Sequence, residues 1–373
     1  MQIALKINNQ MRYATWDILE ASTDSTFYLT GATSSLSDYY ADTLLAPFQA
    51  DGLTNVAIAK IGSFTDTYNW TQVGASKIWY SITSSSDGTK LAAGVYGGYI
   101  YTSSDSGATW TARLTDENRN WQSITSSSDG TKLAAVHHSG RIWTSTDSGV
   151  NWTQQTASGS RQWQSITSSS DGTKLAAVVN SGGYIYTSTD SGATWTERSP
   201  VTASTARWWQ SITSSSDGTK LAAGVNGGYI YTSSDSGATW TERQPTTGTF
   251  RNWYSITSTS DGTKLAAVAY SYAGEFIYTS TDSGVSWTAR TAAGSRSWFS
   301  IASSSDGTKL AAVAYGNYIY TSTDSGASWT AQTAAGSRSW YSITSSSDGT
   351  KLAAGVWNGY IFTRARVLTR SSN

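Results

Sequence analysis

Cysteine is absent from the 373-residue sequence, and proline and histidine are scarce, at three and two residues. Without cysteine the chain cannot build disulfide scaffolds, thiolate metal sites or cysteine nucleophiles. Charged residues make up only 13%, and 25 basic side chains balance 25 acidic ones. A net charge of zero argues against bulk attraction to nucleic acid or to anionic membranes. We therefore expect no nucleic-acid partner.

Long apolar runs are also missing. No segment has enough consecutive apolar residues to cross a bilayer, and the N-terminal residues lack an apolar stretch of signal-peptide length. We expect no membrane insertion and no signal peptide. Apolar residues reach only 38%, but 18 tryptophans and 22 tyrosines can carry the burial that a core requires.

Most of the tryptophans mark an internal repeat. A phrase that reads Trp-Tyr-Ser-Ile-Thr-Ser in its first copy recurs at spacings of 42, 42, 46, 44, 45 and 42 residues. Its copies begin at Trp79, Trp121, Trp163, Trp209, Trp253, Trp298 and Trp340. A second phrase, Ser-x-Asp-x-Gly-x-x-Trp, ends at Trp110, Trp152, Trp195, Trp240, Trp287 and Trp329.

Each repeat unit has the pattern of four short strands. In the first unit these are residues 79–85, 90–95, 99–103 and 110–113, with the turn signal Asp87-Gly88 after the first. Four antiparallel strands per unit of this length are typical of a β-propeller blade, whereas the coils of a β-solenoid are shorter. The sequence therefore predicts an all-β, seven-bladed propeller. We expect the small Leu-Ala-Ala strands to lie near its axis.

The ends of the repeat array suggest how the ring closes. The seventh unit has three strands and then leaves the pattern, while a strand near residues 68–72 has no blade of its own. We predict that this strand completes blade seven within a propeller domain of residues 62–373. Residues 1–61 do not repeat, and we predict a small docking or adaptor module with strands at 2–7, 12–21 and 55–61 and a helix at 37–45.

The second phrase has a local physical meaning. A short carboxylate can accept hydrogen bonds from a turn, and the glycine permits a positive φ. The phrase resembles the Asp box, or bacterial neuraminidase repeat, of sialidases, sortilin-type receptors and photosystem II assembly factors. This resemblance implies a structural role for the six aspartates Asp105, Asp147, Asp190, Asp235, Asp282 and Asp324. The near-identical units are also similar to repeat-rich propeller proteins of tailed bacteriophages, which implies a virion or tail-associated role.

The units differ mainly on one face of the predicted ring. The turns between second and third strands vary, and this variable face is the expected binding surface, although neutral loop drift gives the same pattern. Its aromatic residues could stack on sugar rings or cap the core. The aromatic candidates are Tyr96, Tyr270, Tyr272, Tyr315 and Trp357, and His137 and Arg141 share this face.

A basic residue precedes each blade-opening tryptophan by two positions. Such a residue can stack on its own tryptophan, or the set can form a cationic rim for an anionic partner. The basic ring consists of Lys77, Arg119, Arg161, Arg207, Arg251, Arg296 and Arg338. We count Arg119, Arg161 and Arg251 among the candidate ligand-binding residues.

Catalysis and metal binding are not expected. His137 and His138 are adjacent on a strand and point to opposite faces, so no metal site is predicted. Glycosidases usually need two carboxylates about 5–9.5 Å apart, but Glu117 and Glu275 belong to units that are not neighbours, and Glu197 and Glu242 hold equivalent outer positions. We predict no catalytic residue and no cofactor.

The favoured hypothesis is a phage structural protein that binds a glycan or protein receptor through the variable face. Its N-terminal module would then bind other virion or assembly proteins, and the protein would reside in the virion. The alternative is an assembly factor that holds a protein client in the cytoplasm. A sialidase-like glycosidase is the third and weakest hypothesis.

Overall fold

The chain forms two compact units in the computed structural model: residues 1–67 with 368–373, and residues 68–367. The structure describes the backbone of residues 2–7, 10–15, 18–19, 28–29, 64–199, 207–245 and 248–370. It describes side chains at 68–199, 207–245 and 248–365. All statements below concern these residues.

The smaller unit contains two strand pairs. Gln2–Ile7 pairs antiparallel with Gln10–Thr15, and Ile18–Leu19 pairs with Tyr28–Leu29. The helix predicted at 37–45 and the strand predicted at 55–61 lie outside the described residues. The predicted boundary between residues 61 and 62, and the docking role of this module, stay predictions.

The larger unit is the predicted all-β propeller of seven four-stranded antiparallel blades. The first strands are Trp79–Ser84, Arg119–Ser126, Trp163–Ser168, Trp209–Ser214, Trp253–Ser258, Trp298–Ser303 and Arg338–Ser345. The second strands are Leu91–Gly98, Leu133–His137, Leu175–Val179, Leu221–Val225, Leu265–Ala269, Leu310–Asn317 and Leu352–Val356.

The third and fourth strands complete each blade. The third strands are Ile100–Ser103, Ile142–Ser145, Ile185–Ser188, Ile230–Ser233, Ile277–Ser280, Ile319–Ser322 and Gly359–Arg370. The fourth strands are Thr111–Arg113, Thr153–Gln155, Thr196–Arg198, Thr241–Arg243, Thr288–Arg290, Thr330–Gln332 and, for blade seven, Phe64–Lys77. Short 3₁₀ turns follow three fourth strands, at Thr156–Ser158, Thr291–Ala293 and Thr333–Ala335.

The tryptophan strands, and not the Leu-Ala-Ala strands, line the axis. Each first strand contacts the first strands of both neighbouring blades all the way around the ring. The Leu-Ala-Ala strands, which we expected near the axis, are the second strands of the blades and lie one strand further out. Their residues are small because blades pack closely: a Cβ on Gly94 would lie 2.9 Å from the Cβ of Trp121 in the next blade.

A ring of backbone hydrogen bonds joins the seven blades near the axis. The N–H of one serine in each blade donates to the carbonyl of its counterpart in the next blade, at 2.7 to 2.9 Å. The donors in ring order are Ser86, Ser128, Ser170, Ser216, Ser260, Ser305 and Ser347, and the last donates to Ser86. The circle is therefore continuous across the seam between blades seven and one.

The seam blade combines two distant parts of the chain. Strand Phe64–Lys77 lies beside Gly359–Arg370, and Trp70 packs against the core of blade seven. The Arg364 guanidinium lies 4.5 Å from the ring centroid of Tyr68. Arg364 is therefore a packed residue of this blade.

Candidate binding site on the variable face

The two faces of the ring carry different kinds of loop. The first turn of each blade and its Asp box share one face, as shown by the Ser106 N–H that donates to the Thr89 carbonyl at 2.8 Å. The turns after the second strands meet the interblade connections on the opposite face, where Gly140 bridges Arg161. We call these the constant face and the variable face.

On the constant face the aspartates bind their own loops. Asp105 accepts the Ser103 hydroxyl at 2.7 Å, the Thr109 N–H at 2.9 Å and the Thr109 hydroxyl at 2.6 Å. These hydrogen bonds lower the pKa of Asp105 to about 2, and the one from the Thr109 hydroxyl has the largest effect. The same pattern recurs at the other box aspartates, Asp147, Asp190, Asp235, Asp282 and Asp324.

On the variable face nine aromatic rings form one connected cluster. Neighbouring ring centroids lie 4.5 to 6.5 Å apart. All the rings come from blades five, six, seven and one, which are consecutive around the closed circle. The aromatic cluster consists of Tyr80, Tyr96, Tyr254, Tyr270, Tyr272, Phe299, Tyr315, Tyr341 and Trp357.

Three tyrosines meet at the inner edge of this cluster. The hydroxyls of Tyr254 and Tyr341 lie 3.2 Å apart, and the ring centroids of Tyr341 and Tyr80 lie 4.5 Å apart. Burial raises the pKa of all three phenols, that of Tyr80 to about 12. We call the variable-face end of the axis the mouth. The three phenols are neutral in the physiological pH range and therefore contribute no charge to the mouth.

The outer rings of the cluster are open to solvent. Tyr272 is 94% exposed, Tyr315 is 48% exposed and Tyr96 is 37% exposed. Tyr270 and Trp357 are half-buried between these rings and the inner tyrosines. The cluster therefore exposes its outer rings to solvent, while its inner members hold them in place.

Apart from Tyr272, the rings of the cluster occupy two positions of the repeat: the residue after the blade-opening tryptophan, as at Tyr80, and the residue that Tyr96 occupies after the second strand's Leu-Ala-Ala segment. The remaining blades have polar side chains at these two positions. We call these residues the polar arc: Gln122, Gln164, Gln210, His138, Asn180 and Asn226. The Asn180 amide donates to Gln164 Oε1 at 3.2 Å. The first strands of blades one and two contact each other, as do those of blades four and five. The mouth thus has an aromatic part and a polar part that adjoin each other.

The basic ring stacks on aromatic residues of the third strands. Each cationic group lies 4.3 to 5.2 Å from the ring centroid of a third-strand residue in the blade that the following tryptophan opens. The interpretation that each member of the set stacks on its own tryptophan is therefore wrong. Only Arg296 also approaches its tryptophan, at 5.8 Å. The pairs are Lys77–Tyr101, Arg119–Trp143, Arg161–Tyr186, Arg207–Tyr231, Arg251–Tyr278, Arg296–Tyr320 and Arg338–Phe362.

The tryptophans explain this arrangement. In six blades the blade-opening tryptophan packs edge-on against the same third-strand ring, at centroid distances of 5.1 to 5.3 Å and angles of 74 to 77°. The third-strand ring is thus held between the tryptophan and the cation. The rings that pack within each blade are therefore also the rings on which the basic groups stack.

Several candidate residues lie away from the mouth. Arg119 is buried and bound to Asp116 at 2.8 Å, and Arg251 binds Glu275 at 3.1 Å. His137 packs edge-on against Trp121, and burial lowers its pKa. Arg141 donates to Gln154 on the outer strands at 3.2 Å. Of the residues predicted from the sequence, the structure brings together the five aromatic ones and leaves His137 and the arginines apart.

Sequence reasoning missed the inner half of the site. The residue after the blade-opening tryptophan is aromatic in four units and glutamine in the other three. The aromatic ones are Tyr80, Tyr254, Phe299 and Tyr341. This variable position inside an otherwise repeated phrase was the available signal. Its meaning depends on the first strand being innermost, because only then does the residue after the tryptophan face the axis.

Among the residues that the structure describes, no group of three or more His, Asp or Glu side chains could hold a metal ion. No helix among them is long and apolar enough to cross a membrane.

The comparisons with known proteins agree with this fold. A family model described as "Photosynthesis system II assembly factor YCF48" matches residues 80–271, just over half of the chain. No curated protein sequence is significantly similar. YCF48 from Cyanidioschyzon merolae is 17% identical over 80% of this chain and 98% of that chain, with a TM-score of 0.63.

Two further solved structures are similar at comparable levels. One is described as YCF48 bound to D1 peptide; it is 16% identical over 80% of this chain and 96% of that chain, with a TM-score of 0.62. The other is a GH74 enzyme from Niastella koreensis, 16% identical over 79% of this chain but only 53% of that chain, with a TM-score of 0.61. At these identities the likeness shows the fold alone.

Proposed function

The chain belongs to the photosystem II assembly factor YCF48 family, and we propose that it is a non-enzymatic propeller that holds a polypeptide client on its variable face. One structure of that family contains a D1 peptide, so the fold is compatible with peptide binding. The family thus supports the assembly-factor alternative more than the phage hypothesis, which rests only on the style of the repeated phrases.

The aromatic cluster is the observation that carries this proposal. Isolated exposed aromatic residues are ordinary, but contiguous exposed patches mark interaction surfaces. Aromatic side chains are also enriched among the residues that dominate binding energy in protein interfaces. Nine rings gathered on one side of one face, with Tyr272 and Tyr315 open to solvent, match that description.

The absence of catalysis is part of the same proposal. Each glutamate among the described residues already has a partner, and the four partners belong to different blades. Glu117 pairs with Arg119 and Glu275 with Arg251, while Glu197 accepts a hydrogen bond from Tyr186 and Glu242 accepts one from Tyr231. No two of these carboxylates belong to one blade. This arrangement supports a binding role and gives no support to the sialidase hypothesis.

Site-specific photo-crosslinking in the native host tests this function. A photo-reactive phenylalanine derivative placed at position 272 reports on the aromatic cluster, and one at position 285 reports on the constant face, where Val285 is 64% exposed. We expect a discrete polypeptide adduct from position 272 and none from position 285. Equal crosslinking from both positions, or crosslinking from neither together with selective glycan-array binding, would refute the proposal.

A further inference from the structure

The chemistry of the mouth specifies what kind of segment the client presents. Resting on the proposed function, we propose that this segment is extended and uncharged. Its apolar or aromatic side chains pack on the aromatic cluster, and its main chain hydrogen-bonds the polar arc. An acidic segment, held by arginine, is the competing type of client.

The absence of formal charge at the mouth is the first argument. The two repeat positions that form it contain no Asp, Glu, Lys or Arg in any of the seven units. An ionised side chain buried against this surface would lose hydration without gaining a partner, which is costly. Two guanidinium groups of the basic ring are already paired with carboxylates: Arg119 binds Asp116, and Arg251 binds Glu275. An uncharged segment therefore complements the mouth.

The division of the mouth into two chemistries is the second argument. Primary amides such as Gln164 and Asn180 both donate and accept hydrogen bonds, as a peptide main chain requires of its partner. Rings such as Tyr315 and Trp357 offer area for apolar side chains and for proline. The first strands of blades one and two contact each other, as do those of blades four and five, so the two parts adjoin and one segment can contact both.

The pattern of variation among the repeats is the third argument. Both repeat positions are aromatic in blades five, six, seven and one, and both are polar in blades two, three and four. The surrounding phrases are nearly identical, so the two positions change together while their scaffold does not. Because blades seven and one adjoin, the change produces one aromatic side and one polar side. Such a surface gives a bound segment a defined direction across the ring.

Selection from a library of random 12-residue peptides displayed on phage, with the full chain as bait, tests the inference. Three variants accompany the wild type: Tyr315→Ala in the aromatic cluster, Asn226→Ala in the polar arc, and Val285→Ala on the constant face as control. All three positions are partly or largely exposed. Unchanged circular dichroism and thermal midpoints establish that each variant is folded.

We expect the enriched peptides to lack charge and to be rich in aromatic, aliphatic or proline residues. Their affinity should fall about tenfold or more in Tyr315→Ala, severalfold in Asn226→Ala and not at all in Val285→Ala. Enrichment of acidic peptides, with affinity lost in Arg338→Ala and retained in Tyr315→Ala, would overturn this inference but leave the polypeptide-client function standing. No peptide enrichment, together with glycan binding that depends on Tyr315, would overturn both.

Discussion

The stacked arginines give a prediction whose size follows from the structure. Arg296 places its guanidinium carbon 4.3 Å from the ring centroid of Tyr320, the shortest such distance among the described blades. Its Nε and Nη1 atoms are buried without a hydrogen-bond acceptor among the described residues. Cation–π pairs contribute about 0.5–1 kcal/mol when exposed and about 2 kcal/mol when desolvated.

A double-mutant cycle with Arg296→Met and Tyr320→Leu isolates this interaction. Since Arg296 is partly exposed but partly desolvated, we expect a coupling energy of about 1 kcal/mol, which is a factor of about five in the folded-to-unfolded ratio. Methionine and leucine keep most of the apolar contact, so the cycle reports mainly on the charge–ring term. Urea unfolding followed by tryptophan fluorescence gives the four free energies, provided that refolding is reversible.

A second cycle serves as the control. Arg338 lies 4.5 Å from the ring of Phe362, but it is exposed and its Nε already donates to the Ala335 carbonyl at 3.0 Å. We expect a smaller coupling there, about 0.5 kcal/mol. Coupling near zero in both cycles, combined with weaker client binding by Arg296→Met, would show that the basic ring serves a ligand and not the blades.

Three further predictions concern the scaffold. Asp190→Ala removes three accepted hydrogen bonds and should lower the free energy of unfolding by about 1 kcal/mol, whereas Thr189→Ala beside it should change it little; urea unfolding of both variants decides this. Hydrogen bonds lower the pKa of the aspartates in the first turns of the blades. At Asp87 the Ser85 hydroxyl is the main cause, and the pKa falls to about 2. The stabilisation from Asp87 is therefore fully present above about pH 4 and is lost as the pH falls through about 2. Thermal midpoints should therefore fall in that window, and constancy down to pH 2 would contradict the assignment. Deleting residues 1–77 removes the last strand of blade seven and should cause association by size-exclusion chromatography, whereas deleting residues 1–63 should not.

The fold was predictable because its determinants are local and repeated. Asp87-Gly88 predicts a turn, and Gly88 indeed has φ of +69° while its N–H donates to the Ser85 carbonyl. Seven copies of the same turn and strand pattern leave little choice of architecture. The position of the strands relative to the axis was not predictable in this way, because small residues fit both an axis and a close blade-to-blade contact, and Gly94 serves the second purpose.

The site was predictable only in part, for a similar reason. Variable turns identify Tyr96 and Tyr315, since loop differences are visible in the aligned repeats. The stacking partner of Arg161 is Tyr186, two strands away, and not the nearby Trp163 that sequence spacing suggests. The inner tyrosines such as Tyr341 were missed because their role depends on contacts across the ring, which no single unit encodes.

The affinity of the crosslinked client for variants of the aromatic cluster tests the central claim most directly. Isothermal titration of that polypeptide should show binding weakened at least about tenfold by the double substitution Tyr96→Ala and Tyr315→Ala. The control Val285→Ala on the constant face should bind as the wild type does. Unchanged affinity in the double variant would contradict the account, because the client would then bind somewhere other than the aromatic cluster.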